Sequence, residues 1–278
     1  MPKTSWNTGA SIAVSELSDL QLKEAIKEWA EGSEALGKLL WSCYRNGIHT
    51  SGCDAGNHHF PYLAFYLDSG IESVKRLITA TWNYGASELF LTFAGNPYSG
   101  PEWHKTKLSV KPLNNKCAND FFETLANTLD EKQIENTGQG FLDILKLSEL
   151  LEESGDDIAV RMTKNGNQYR LSINCFKSKR NWQYWTALFE EAGLHLINSK
   201  KKDSPFIYWE YTSSNQEAFE KCISKLLVVL QTKHSLKLPD EISEDMSFST
   251  KALVMRRKFG FDENGIKLMN KWLEENKT

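Results

Sequence analysis

The chain has 278 residues, 40% of them hydrophobic and 25% charged, with a formal net charge of -3. That length accommodates two domains of ordinary size, and that balance belongs to a folded globular protein rather than a disordered one. A weakly acidic total excludes a general attraction for nucleic acid or anionic membranes and leaves only local basic patches, while no stretch approaches the ~18 consecutive apolar residues of a membrane span.

In chain order, Ser15 or Ser18 can cap a first helix in which Leu20, Ile26 and Trp29 form a loose stripe. Gly32 interrupts it. Leu36, Leu39, Leu40 and Cys43 line one side of a second helix over 33–44, which Asn46 and Gly47 stop. A short strand is expected at 48–53, then a polar loop over 54–61. The strand at 62–67 is apolar at almost every position, which suits the centre of a sheet. An amphipathic helix covers 71–84. Strands follow at 89–93 and 106–110, separated by a long loop rich in turn formers, and a helix at 119–129 closes the segment.

Residues 131–140 are polar and contain Asn136, Thr137 and Gly138, the composition of a linker. Beyond them a helix is expected at 144–151. Asn165-Gly166 marks a hairpin between strands at 158–163 and 168–174. A helix at 181–192, a second hairpin of 194–198 with 206–211, and a helix at 216–230 capped by Asn215 complete this part. After residue 237 two short helices, 249–258 and 264–275, carry Leu253, Met255, Phe259, Phe261, Leu268, Met269 and Trp272, and their need for burial favours packing back onto the rest.

The chain therefore states one order twice. Residues 36–129 and 141–230 both run helix, two strands, helix, two strands, helix. The local match sets Tyr62-Leu-Ala-Phe-Tyr-Leu against Tyr169-Arg-Leu-Ser-Ile-Asn, each followed by a helix that stops at a glycine, Gly85 or Gly193. The expected fold is α+β: two tandem related units, each a roughly four-stranded antiparallel sheet with helices on one face, plus a short helical C-terminal tail. The corresponding segments are a first unit over 1–130 with its N-terminal helix, a linker over 131–140, a second unit over 141–236 and a helical extension over 237–278. The groove between two such sheets is a natural binding place.

Two constellations point to chemistry. In the first, His49, Ser51 and Cys53 alternate along a strand and are expected on one side, with Asp54, His58 and His59 in the loop beyond. His49, Cys53, His58 and His59 could hold zinc or another transition metal, with His104 completing the set. The spacing matches no standard zinc pattern, and a Gly-rich turn over a buried thiol reads the same residues without a metal. Cys53 with His58 or His59 as base would alternatively make a thiol nucleophile. In the second constellation, aromatic and basic side chains interleave: Lys177, Lys179, Arg180, Trp182, Tyr184 and Trp185, then Lys200, Lys201 and Lys202, then Tyr208, Trp209 and Tyr211. Such a belt can stack bases and neutralise phosphates, or anchor a protein. The plain structural reading puts the tryptophans in the core and the lysines at a solvated hairpin tip. Tyr98 and Trp103, in the long loop, form a candidate recognition rim.

Phosphate-loop, dinucleotide, nucleophile-elbow and kinase signatures are absent. The five cysteines are scattered and odd in number, which suits free thiols in a reducing cytoplasm, and residues 1–13 lack the basic and apolar segments of a secretory signal. The expectation is a cytoplasmic, non-catalytic binding or regulatory protein without a cofactor. Its partner would be a protein, including a second copy of the chain in a homo-oligomer, or a nucleic acid. Trp182, Trp185, Lys200, Lys201, Lys202, Tyr208, Trp209, Tyr98 and Trp103 would form the contact. The alternative is a metal-dependent hydrolase acting on phosphoesters, with zinc held by His49, Cys53, His58 and His59.

Overall fold

A computed structural model describes residues 17–57, 60–67, 70–92, 106–131, 139–152, 158–176, 182–197, 206–234 and 271. The linker core, the long loop over 93–105, the Lys200–Lys202 hairpin tip and, apart from residue 271, the expected C-terminal helices lie outside the described residues.

Helix α1 (Asp19–Trp29) begins at Ser18, whose side chain accepts from the Gln21 amide in a reciprocal capping box. Helix α2 (Glu34–Arg45) starts on a Ser33 cap. Strands β1 (Thr50–Asp54) and β2 (Tyr62–Tyr66) lead into α3 (Ile71–Tyr84), which stops at Gly85 with φ +83. Strands β3 (Ala86–Thr92) and β4 (Lys107–Pro112), a 3-10 turn and α4 (Ala118–Asp130) follow. Next come α5 (Gln139–Glu152), β5 (Ile158–Asn165), β6 (Gln168–Phe176), α6 (Trp182–Ala192), β7 (His195–Ile197), β8 (Phe206–Ser213) and α7 (Gln216–Lys233), whose cap is Asn215. None of the helices among the described residues is long and apolar enough to cross a membrane.

The strands make one antiparallel sheet of eight in the order β1-β2-β4-β3-β5-β6-β8-β7. Here the structure departs from the expectation of two separate four-stranded sheets with a groove between them. The reason is edge pairing: β3 and β5 pair along their length from Ala86–Asn165 to Thr92–Ala159. The Gly166 amide also donates to the Gly85 carbonyl at 2.8 Å. Each half would otherwise expose a strand edge with unpaired amides and carbonyls, and joining the two edges satisfies both.

The strand order within each half is first, second, fourth, third. The helices touch one another in the sequence α1-α2-α4-α3-α5-α7-α6. The residue match read from sequence is nevertheless out of phase. Tyr169 faces the helices, its ring 5.4 Å from that of Trp82, whereas Tyr62 lies one position from the helix-facing Leu63 and points the other way. A one-residue slip exchanges the faces of a strand.

The core lies between the helices and one face of the sheet. Leu63, Phe65, Leu89, Leu91, Leu108, Val110, Val160, Met162, Leu171, Ile173 and Trp209 supply the sheet side, all fully buried. Trp82 of α3 crosses the join: it stacks on Tyr169 and Phe219 and meets Phe141 edge-on at 4.5 Å. One tryptophan of the first half thus packs on three elements of the second, and such ring pairs contribute about 0.5–1.5 kcal/mol each beyond simple burial. Lys164 of β5 adds a polar tie by donating to the Trp82 carbonyl at 3.1 Å.

Candidate functional site

With the helices packed on one side, alternation sends every second strand residue to the opposite face. No described helix packs there. The registers align its side chains in rows across the sheet. One row runs Ala64, Ser109, Phe90, Arg161, Ser172, Glu210, His195. The next joins Lys111, Glu88, Thr163, Arg170 and Thr212, with Tyr62 at its end beside Lys111. Tyr66, Lys107, Thr92, Ala159, Asn174, Tyr208 and Ile197 form a third.

Cations and rings are interleaved on this face. The Arg161 guanidinium sits 4.8 Å over the Phe90 ring, Lys107 5.5 Å over Tyr66, and Lys111 5.6 Å over Phe60. Such pairs hold long cationic side chains flat and present their charged ends outward. Glu88 is buried among them. Its Oε1 lies 3.0 Å from Lys111 Nζ and 3.3 Å from Arg161 Nε, yet it receives no hydrogen bond of good angle from either. Arg170 pairs with Glu210 in the second half. A shallow depression of about 230 Å³ opens over β2, β4 and β3, lined by Tyr62, Glu88, Phe90, Ser109 and Lys111.

The residues expected to bind a metal are not gathered in the described part of the chain. Pairing of Thr50 with Phe65 and Gly52 with Ala64 leaves Ser51 as an extra residue, a bulge in β1. The bulge reverses the alternation. Thr50, not Ser51, therefore shares the face of Cys53, and the expectation that His49, Ser51 and Cys53 project together is corrected. Cys53 turns toward the helices and donates to the Trp29 carbonyl at 3.4 Å. Burial, with Glu31 and Asp54 nearby, pushes its thiol up to about 12, so it is protonated at neutral pH and not a ready nucleophile. Asp54 accepts from the Gly56 amide at 2.6 Å and closes the turn. His49 is exposed. His58, His59 and His104 lie outside the described residues, and among the described ones no group of three or more His, Cys, Asp and Glu is placed to hold a metal ion.

The aromatic belt divides between the two faces. Trp185 is fully buried, stacked on Phe189 at 5.3 Å with His234 at 4.9 Å. Trp209 is also fully buried and donates from Nε1 to Thr186 at 3.2 Å. Neither side chain reaches a surface where a partner could touch it. Trp182 is half-buried at the start of α6. Tyr208, the neighbour of Trp209 on the same strand, lies on the helix-free face, its ring 6.2 Å from Phe206. Lys200, Lys201, Lys202, Tyr98 and Trp103 lie outside the described residues. Glu88, Phe90, Lys107, Ser109, Lys111 and Arg161 were not singled out from sequence, although the polar-apolar alternation of Lys107-Leu-Ser-Val-Lys111 carried the signal.

Comparison of the chain with protein-family models, with curated proteins and with solved structures finds no match in any of the three.

Proposed function

We propose that this is a non-catalytic cytoplasmic binding or regulatory protein, and that it engages a protein or nucleic-acid partner through the helix-free face of its sheet. One observation carries the reading: on that face Phe90, Tyr62, Tyr66 and Tyr208 alternate with Arg161, Lys107, Lys111 and Arg170 across strands of both halves. Aromatic and arginine side chains on a firm scaffold are the usual energetic anchors of interfaces, and rings interleaved with cations suit stacked bases and phosphates as well. The odd number and scatter of the five cysteines support a reducing compartment. The hydrolase alternative has thinner support, because the Cys53 thiol is turned to the helices and is engaged by a backbone carbonyl.

We further infer that the two halves are tandem copies of one helix-strand-strand-helix-strand-strand-helix unit. Their common strand order and common helix order support this. The test of the binding reading is affinity purification from the source cell with three proteins: wild type, the triple variant Phe90→Ala, Arg161→Ala, Tyr208→Ala, and a helix-side control, Lys38→Ala with Val228→Ser. A partner recovered by wild type and control but lost by the triple variant is the expected result. A partner retained by the triple variant and lost by the control would move the interface to the helices.

A further inference from the structure

We propose that the helix-free face docks an acidic segment of a protein partner through its arginines and lysines, a proposal that rests on that face being the binding face and names the chemistry of what it binds. Charges of the two signs stand at different depths on the face. Among the described strand residues its carboxylates are sunk: Glu88 is 8% exposed, Glu210 19%, and Asp54 is buried where it closes its turn. Their cations stand over them, with Lys111 28%, Arg161 44% and Arg170 51% exposed. Lys107 adds a fourth positive group in the next row. A partner approaching the face therefore meets the positive ends first, on a chain whose total charge is -3. The internal pairs do not exhaust the donors. Arg161 comes closest to Glu88 through Nε, which leaves the two terminal nitrogens of its fork for a second carboxylate, and Arg170 reaches Glu210 through a single Nη.

The same geometry favours side-chain carboxylates over a nucleic acid. Three rings of the face each lie under a cation: Phe90 under Arg161, Tyr66 under Lys107 and Phe60 under Lys111. Bases need open ring faces on which to stack, whereas carboxylates need only the donors above the rings. The negative total of the chain does nothing to draw in a long polyanion. Spacing fits an extended segment laid across the strands. Lys111 on β4 and Arg170 on β6 share one row, with β3 and β5 between them. Strands ~4.8 Å apart put these two positions about 14 Å from each other, and an extended chain rising ~3.3 Å per residue brings carboxylates about four residues apart to the same separation. Arg161, in the neighbouring row on β5, stands beside that path for an acidic residue midway.

Fluorescence anisotropy of a labelled peptide of alternating Glu and Ser, titrated with the full chain at low salt, tests this beside two probes of the same length: the peptide with Gln in place of Glu, and an oligothymidylate. The expected result is saturable binding of the Glu peptide alone, weakening as salt is added. Arg161→Gln with Arg170→Gln should weaken it about tenfold, the scale of two partly exposed ion pairs. Lys38→Gln with Lys75→Gln, on the helix side, should leave it unchanged. Arg170→Gln alone, at the most exposed of the three cations, should weaken it about threefold with an unchanged melting curve, and it decides the matter if Arg161→Gln, which strips a cation from buried Glu88, does not fold. No binding of the Glu peptide overturns the proposal, as does equal binding of the Gln peptide or binding that survives the loss of these arginines. Tighter binding of the oligothymidylate also overturns it and makes the partner a nucleic acid. If no probe binds while the triple face variant still loses its cellular partner, the acidic segment is wrong and the binding face stands.

Discussion

Trp209 and Tyr208 are adjacent on β8 and face opposite sides of the sheet, so replacing each by alanine separates core from surface. Trp209 is fully buried, meets Phe189 edge-on at 5.0 Å and donates to Thr186. Truncating such a side chain removes its transfer energy and leaves a cavity, at a cost of about 3–5 kcal/mol. Thr186 is not orphaned by the change, since its hydroxyl also donates to the Trp182 carbonyl at 2.8 Å, so no further polar penalty is added. Against a total stability of ~5–15 kcal/mol, the variant should lose roughly a fifth or more of its margin. Tyr208 is half-buried on the other face, across from Asn174 and Ile197. Its truncation should cost only the cross-strand contribution, about 0.2–1 kcal/mol. Urea unfolding followed by far-UV circular dichroism measures both without relying on the tryptophan being removed. Equal losses, or a Trp209→Ala loss under about 1 kcal/mol, would refute the assignment of faces on which the binding reading depends. A loss of function in Trp209→Ala, by contrast, would report unfolding and say nothing about a contact surface.

Gly70 precedes α3 at φ +59, and a Cβ there would stand 2.7 Å from the Gly47 carbonyl oxygen; Gly166 has nearly the same φ, +57, and open space around it. Gly166→Ala should lose about 1–2 kcal/mol for the left-handed backbone, and Gly70→Ala clearly more; equal melting temperatures would remove the clash. Cys53, held near 12, should be about one part in ten thousand thiolate at pH 8 and alkylate far more slowly in native protein than in urea, as mass spectrometry can follow. Because that thiol is raised in the folded state, stability falls as pH rises past the ~8.5 of a free thiol, where only the unfolded chain releases its proton. Lys164 sits over Trp82 at 4.2 Å and is lowered from 10.5 by burial. Its unfolded form holds the proton more firmly, so wild type should gain stability relative to Lys164→Met as pH rises toward 10.5, and a gain on acidification would refute the sign.

Local signals in this chain were strong enough to place its elements. The 3.6-residue stripe from Ile71 to Tyr84, the Asn165-Gly166 turn and the Asn215 cap all act within a few residues, and the observed α3, β5–β6 hairpin and α7 follow them. What was not legible depends on pairing between distant strands. Nothing near Ala86 or Asn165 announces that β3 and β5 will join, so one sheet was read as two. The bulge at Ser51 is visible only against the partner strand, and it takes Ser51 off the face of Cys53. The tryptophans were legible as residue types but not as faces: Trp185 and Trp209 needed the register of the finished sheet to be placed in the core. The basic face was missed for a related reason. Lys107, Lys111, Arg161 and Arg170 are dispersed through the sequence on three strands and become neighbours only through the ladders.

The join between the halves also explains why the Glu88, Phe90 and Arg161 cluster is built across the seam. Glu88 and Phe90 belong to β3, in the first half. Arg161, which faces Glu88 and lies over Phe90, belongs to β5, in the second. The site is therefore completed across the seam, and neither half alone carries it. In the second half the position of β3 is taken by β7, which stands at the outer edge of the sheet with no described strand beyond it. Among the described residues no strand follows that could bring a counterpart of Arg161, and β7 places His195 in the row of Phe90 and Ile197 in the row of Thr92. The two halves of the sheet, joined edge to edge, thus differ in what their third strand meets.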